Sequence, residues 1–247
     1  MTEAPDFSSV AASYAAWRPS YPRDLFSWLA SEVPRREVAW DTATGSGQAA
    51  SGLAGHFRRV IATDRSAAQL RYARTHPRIE YRVARAEKSG LPAGAVDLVV
   101  AAAALHWFDL PRFYQEAARV ARPGAVLAAW SYHVAHAKPP FDEVLWPFYR
   151  DVVGPYFAPG ARLVDDRYET ITLPGRALPA PRFVMSATWR AAEILAFVRT
   201  WSGVQAFIEA TGQDPVAELA PRIEILCGPG DAPHPLRWPL YLRASRL

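Results

Sequence analysis

Asp41, Gly45, Gly47 and Asp64 are the first residues in the chain whose types and spacing could do chemistry. They open in "DTATGSGQAA" (41–50), just after the apolar Val38, Ala39 and Trp40 and just before residues that suit a helix. A Gly-x-Gly at a strand-to-helix turn lets a backbone approach a ligand closely. Gly45-Ser46-Gly47-Gln48-Ala49-Ala50 also satisfies the looser dinucleotide fingerprint, Gly-x-Gly-x-x-Ala. Asp64 follows Gly47 by 17 residues and closes the second apolar run, "RRVIATD". A carboxylate there can accept from both hydroxyls of an adenosine ribose, so the pattern predicts an adenosine-containing ligand. Asp41 narrows the choice. Pyrophosphate at this turn would be repelled by a second carboxylate, whereas an ammonium or sulfonium group would be attracted. S-adenosylmethionine carries both cations, and a nicotinamide dinucleotide carries the pyrophosphate.

These residues need a scaffold, and the pattern around them supplies one. Short apolar runs at 37–41, 59–63, 79–84, 96–102 and 125–131 predict strands. Helical stretches follow at Gln48 to Phe57, Ser66 to Arg74 and Leu110 to Ala121, the last stopped by Arg122-Pro123-Gly124. Strands alternating with helices imply a parallel sheet covered on both faces, a doubly wound α/β fold. The run 96–102 reads as a strand buried on both faces. Residues 8–33 look helical, interrupted by "RPSYP". Residues 138–182 are rich in proline and aromatics without a period. "RFVMSATW" (182–189) predicts a strand, helices are expected at 191–201, 203–211 and 215–226, and "LRWPLYLRAS" (236–245) reads as a last strand. This divides one domain, 1–247, into an N-terminal helical lid (1–34), a cofactor-binding core (35–132), a cap insertion (133–181) and C-terminal strands and helices (182–247).

Half of the 247 residues are hydrophobic, enough for a sizeable core. No apolar run has membrane-spanning length, and "MTEAPDFSSV" lacks a basic segment followed by an apolar one, so neither a membrane partner nor a secretory signal is expected. The single cysteine, Cys227, excludes a disulfide framework within one chain and leaves a cytoplasmic location as the expectation. The net charge of +4 comes almost wholly from scattered arginines, which fits an anionic small molecule better than a nucleic acid. His133 and His136 have an i, i+3 spacing but no carboxylate–histidine pattern beside them, so no metal is expected. A monomer or homodimer is expected.

At this point the chain resembles the class I S-adenosylmethionine-dependent methyltransferases. Their first motif, Asp/Glu-x-Gly-x-Gly-x-Gly, is matched by Asp41-Thr42-Ala43-Thr44-Gly45-Ser46-Gly47-Gln48, with Ala43 replacing the first glycine. The turn tolerates that alanine if its φ stays negative. Asp64, with Arg65 beside it, stands where the family's ribose-binding acid stands. "ARAEKSGLPAGAVDLVVAAAALHWFD" (84–109) resembles the family's Ala-Glu-x-Leu-Pro and fourth-strand segments. "YAAWRPSYP" (14–22), Leu105-His106-Trp107-Phe108 and Arg199-Thr200-Trp201-Ser202 resemble its trans-aconitate methyltransferase-like branch.

The resemblance implies a Rossmann-like, mostly parallel seven-stranded sheet with one antiparallel strand at or near the edge. It implies S-adenosylmethionine as cofactor, with S-adenosylhomocysteine as product. Cofactor contacts fall on Asp41, Ala43, Gly45, Gly47, Gln48 and Asp64. Ala86 and Glu87 would flank the adenine, and the backbone near Ala103 and Ala104 would face the methionine part. Tyr14 and Arg18 would meet the cofactor's carboxylate or an acidic substrate. Trp107, Phe108, Tyr21, Arg199 and Trp201 would line the acceptor pocket. His106, after the fourth strand, would orient the acceptor or remove its proton, or else merely fix the loop beneath Trp107. The acceptor is expected to be a small molecule. A carboxylate oxygen comes first, because it is already ionised and needs only orientation. A hydroxyl, amine or carbon acceptor comes next, and a fold that binds the cofactor without turnover stands as the rival of another class.

Overall fold

The computed structural model describes residues 17–137 and 139–247. In chain order they form α1 (Arg23–Ser31), β1 (Val38–Thr42), α2 (Gln48–Leu53), β2 (Arg59–Asp64), α3 (Ala67–Arg71), β3 (Ile79–Val83), β4 (Val96–Ala102), α4 (Leu110–Val120) and β5 (Ala121–Ser131). Then follow α5 (Pro139–Pro147), α6 (Arg162–Asp165), β6 (Arg176–Ala177), β7 (Val184–Trp189), α7 (Ala191–Arg199), α8 (Ser202–Thr211), α9 (Pro215–Cys227), β8 (His234–Pro239) and β9 (Tyr241–Arg246). Seven strands make one sheet in the order β3-β2-β1-β4-β5-β9-β6. β1 to β5 are mutually parallel, and β9 is antiparallel to both neighbours, one place in from the edge.

The sheet is doubly wound because its central strands are apolar on both faces. Ala39, Leu98, Val126 and Ala128 face one core, with α1, α2 and the C-terminal helices. Their neighbours Trp40, Val99, Leu127 and Ala129 face the other, with Phe113, Ala117 and Val120 of α4. Successive strand residues point to opposite faces, so a run with no polar break must be covered twice. Asp97 is the polar exception at 2 % exposure. It accepts from the Glu37 and Val38 amides and from the Arg122 guanidinium, pinning the amino ends of β1 and β4 beside the start of β5.

The C-terminal third departs from the sequence reading. The expected strand 182–189 forms as β7, but it pairs with β8 in a separate two-stranded antiparallel sheet. The sixth strand of the main sheet is instead the two-residue β6. The expected last strand divides at Leu240, where β8 serves one sheet and β9 the other. Pro239 has no N–H to continue a ladder, and the Leu240 amide turns to the Phe183 carbonyl (2.9 Å). β8 begins at His234.

Candidate active site

The carboxyl ends of β1, β2, β4 and β5 open into one cavity of about 1070 Å³. The turn after β1 forms its floor. The Thr44 amide donates to the Thr63 carbonyl (2.9 Å) and the Gly47 amide to the Thr44 carbonyl (2.9 Å). Gly45 and Gly47 stand at φ +56° and +80°, and a Cβ on Gly47 would strike the Tyr81 hydroxyl. Ala43 stands at φ +49°, not at the negative φ expected of it, so this alanine occupies a glycine conformation. Ala103, across the cavity, does the same at φ +51°. Ala43, Gly45 and Gln48 line the cavity, whereas Gly47 does not and acts by shaping the turn.

Asp41 does not reach the cavity, which corrects its expected contact with the cofactor. It is fully buried under the turn. One oxygen, Oδ2, accepts from the Thr44 hydroxyl (2.5 Å) and the Ala50 amide (2.9 Å), and Oδ1 has no partner among the described residues. Burial pushes its pKa up to about 7. Its role is to tie the turn to α2.

Asp64 lines the cavity from the end of β2. Its Oδ2 accepts from the Gly45 amide (2.9 Å) and its Oδ1 from the Ser66 amide (2.8 Å). A carboxylate has about four acceptor positions, so each oxygen can still take a hydroxyl. Burial raises its pKa. Arg65, Ala86 and Glu87 line the same end, and the Asp109 amide donates to Glu87 Oε1 (3.0 Å).

Arg18 and Tyr21 form the wall beside Gln48. The Arg18 guanidinium donates to the Tyr132 hydroxyl (2.8 Å) and the Thr200 carbonyl (3.1 Å) and lies over the Phe197 ring. The Arg18 carbonyl accepts from the Gln48 amide side chain (3.2 Å). Tyr21 sets its edge against Trp130. Tyr14 lies outside the described residues.

Opposite this wall stand Ala103, Ala104, His106, Trp107 and Phe108, all lining the cavity. His106 is half-buried, and its Nδ1 lies 2.9 Å from the hydroxyl of the fully buried Tyr168. Its burial pushes the imidazole pKa down to about 3. Gly160 packs so closely on this turn that a Cβ there would strike the His106 carbonyl oxygen. Phe108 also packs on Phe113. Trp201 is 7 % exposed, lines the cavity and meets Tyr149 and Phe197 edge-on. Arg199 is a correction. It is exposed, lies away from the cavity, and pairs with Asp214 (3.1 Å) at the start of α9.

The sequence reading missed two side chains here, Tyr132 and Tyr168, and weighed His133 only as a metal ligand. His133 has both ring nitrogens in hydrogen bonds. Its Nδ1 accepts from the Val134 amide (2.8 Å), and its Nε2 is 2.7 Å from Asp165, which also takes the Tyr149 hydroxyl (2.8 Å). Among the described residues no three His, Cys, Asp or Glu are grouped to hold a metal ion, and no helix is long and apolar enough to cross a membrane. Tyr132 and His133 directly follow β5, where ligands of such sheets gather, so position alone could have flagged them. Tyr168 carried no local signal, being 62 residues from His106 in sequence.

Residues 40–129 match the family model described as a methyltransferase domain. A methyltransferase of Dictyostelium discoideum is 34 % identical over 217 residues, covering 86 % of this chain and 82 % of its own. A protein named as an S-adenosylmethionine-dependent methyltransferase in Saccharomyces cerevisiae is 28 % identical and covers 78 % of each chain. A solved structure of a type II methyltransferase from Anaeromyxobacter dehalogenans superposes with a TM-score of 0.84 at 43 % identity, over 93 % of this chain and 97 % of that one. The chain belongs to the class I S-adenosylmethionine-dependent methyltransferases, and it is an enzyme of that family.

Proposed function

We propose that the chain, as one domain over residues 1–247, transfers a methyl group from S-adenosylmethionine to a carboxylate oxygen of a small molecule. The observation that carries the cofactor half is the left-handed Gly45–Gly47 turn bonded to Asp64, whose two oxygens keep acceptor capacity toward the cavity. Asp64 would hold the ribose hydroxyls and Glu87 the adenine amino group. Arg18 would meet the cofactor's carboxylate, while the turn cradles its amino-acid end. The cavity, at about 1070 Å³, stands at the top of the roughly 300–1,000 Å³ range of small-molecule sites, which suits a ligand as large as an adenosine-containing cofactor.

The cofactor supplies an already activated methyl on its sulfonium. The protein's part is then to hold the acceptor in line and exclude water. Both imidazoles on the acceptor side support an acceptor that needs no base. The ring of His106 is pushed down to about 3, too weak to deprotonate a phenol or ammonium group. His133 has its ring nitrogens engaged by the Val134 amide and Asp165. A carboxylate, ionised above pH ~4–5, asks only for orientation.

Calorimetric titration of S-adenosylhomocysteine tests the cofactor half. Micromolar binding, about −8 kcal/mol, is expected for the parent, with at least tenfold weaker binding for Asp64→Ala. Equal affinities would remove Asp64 from the cofactor site. The acceptor half is tested by S-adenosylhomocysteine production with small carboxylic acids against phenols and amines. Turnover confined to phenols or amines would refute the carboxylate.

A further inference from the structure

We propose that His106 is a fixed hydrogen-bond donor to the methyl acceptor, presenting Nε2–H to the cavity, and that Tyr168 is the positioning residue that fixes this tautomer. The inference rests on the methyl-transfer reading above and gives its acceptor site a chemistry. Nδ1 of His106 is engaged by the Tyr168 hydroxyl, while Nε2 has no partner among the described residues and is not sealed from the cavity that the residue lines.

The direction of the Nδ1–hydroxyl bond decides the tautomer. A phenol O–H is a stronger donor than an imidazole N–H, and the bare nitrogen of a neutral imidazole is a stronger acceptor than a phenol oxygen. Across the 2.9 Å contact Tyr168 therefore donates and Nδ1 is bare. A neutral imidazole with a bare Nδ1 carries its proton on Nε2. Burial holds the phenol protonated and the imidazole neutral, so neither partner leaves this state near neutral pH. No carboxylate among the described residues is paired with the ring. Trp107 lies against it, and the Gly160 backbone packs on its carbonyl, which holds the turn in place.

A donor at this place suits a carboxylate. Nε2–H takes one carboxylate oxygen and leaves the other free to attack. The attacking oxygen forms its bond to the methyl carbon as the sulfur–carbon bond breaks, the electron pair passes to sulfur, and no proton moves. A hydroxyl acceptor would have to lose a proton, which a ring already protonated on Nε2 cannot take at that atom.

The tautomer can be read without an acceptor. In the full chain labelled with ¹⁵N-histidine, the His106 ring, assigned by its loss in His106→Gln, should show a bare Nδ1 and a protonated Nε2 from pH 5 to 9. In Tyr168→Phe the same ring should show a mixture of tautomers, with S-adenosylhomocysteine affinity kept within threefold as the check on folding. A proton on Nδ1, or titration within that range, would overturn the proposal. Turnover of benzoate, decanoate and a tricarboxylate gives the second arm. His106→Gln keeps an N–H donor and should stay within about tenfold of the parent in kcat/KM. His106→Ala should fall by roughly 10- to 150-fold, the range for a hydrogen bond to a charged group. A glutamine variant as inactive as the alanine one would make His106 a base and overturn the donor role. Turnover of phenols alone, with the tautomer as stated, would refute the carboxylate and withdraw the donor-to-acceptor assignment with it. Failure to bind S-adenosylhomocysteine would instead locate the error in the methyl-transfer reading.

Discussion

Ala43 holds the left-handed conformation at φ +49° on the floor of the cavity, where its Cβ is crowded against its own carbonyl. That crowding costs an L-residue about 1–2 kcal/mol. Ala43→Gly removes the cost and returns about 0.4–1 kcal/mol to the entropy of the unfolded chain. The net expectation is a gain of about 0.5–1 kcal/mol. For a chain of this size 1 kcal/mol moves Tm by about 2–4 °C, so the variant should melt roughly 1–4 °C higher. Thermal denaturation of parent and variant, followed by circular dichroism in the same buffer, measures this. Affinity for S-adenosylhomocysteine should be equal or tighter, because the glycine leaves more room at the turn. A variant that melts at or below the parent would show that the φ at Ala43 stores no strain, and the reasoning would fail. Ala103→Gly, at φ +51°, is the internal repeat of the test.

Asp41 should make the fold sensitive to pH. Its folded pKa of about 7 lies above the ordinary 3.8, so the folded state binds the proton more tightly and stability falls as pH rises from about 4 to 7, by up to roughly 4 kcal/mol. In Asp41→Asn that slope should become shallower in melting curves run between pH 4.5 and 8.5, with a remainder from Asp64, whose pKa burial also raises. Glu116 works in the opposite sense. Arg119, with the Ser89 hydroxyl and amide, holds it down at about 2 against 4.5, so its contribution is complete above pH 4.5 and lost as pH falls toward 2. Glu116→Gln should cost ~2–3 kcal/mol at pH 7, measured by urea denaturation, and leave the variant less steeply dependent on pH between 2 and 4.5. Gly160→Ala must push its segment off the His106 carbonyl. Overpacking of this kind costs about 1–3 kcal/mol, and acceptor KM should rise while S-adenosylhomocysteine affinity holds. Arg199→Ala removes an exposed ion pair worth under ~1 kcal/mol, and kcat/KM should stay within twofold. A larger loss would return Arg199 to the acceptor site.

β1, β2, β4 and β5 were legible because each holds an apolar run whose burial is decided by its own residues, whereas β3 (Ile79–Val83) is a partly exposed edge strand legible from its β-branched and aromatic residues. The turn and Asp64 were legible for a similar reason, since their spacing is set within one strand-turn-helix unit. Other features depend on partners distant in the chain. β6 is two residues held by β9 and has no pattern of its own. The division of the last strand at Leu240 depends on Phe183. Arg199 looked available until Asp214 was placed beside it, and Tyr168 reaches His106 only through the packing of the 159–168 segment. Asp41 was correctly singled out as unusual, but a carboxylate at the end of a buried strand can serve the backbone beneath it as readily as a ligand above it.

The bonds of Arg18 connect regions that are otherwise built separately. Its carbonyl is held by Gln48, which begins the helix after the glycine turn, and its guanidinium by Tyr132 and Thr200 on the aromatic side. A ligand that shifts this residue from either side alters the same three bonds. If the cofactor presses on one side of Arg18 and the acceptor on the other, their affinities should be linked through this one residue, and linkage requires each ligand to change the other's affinity by the same factor.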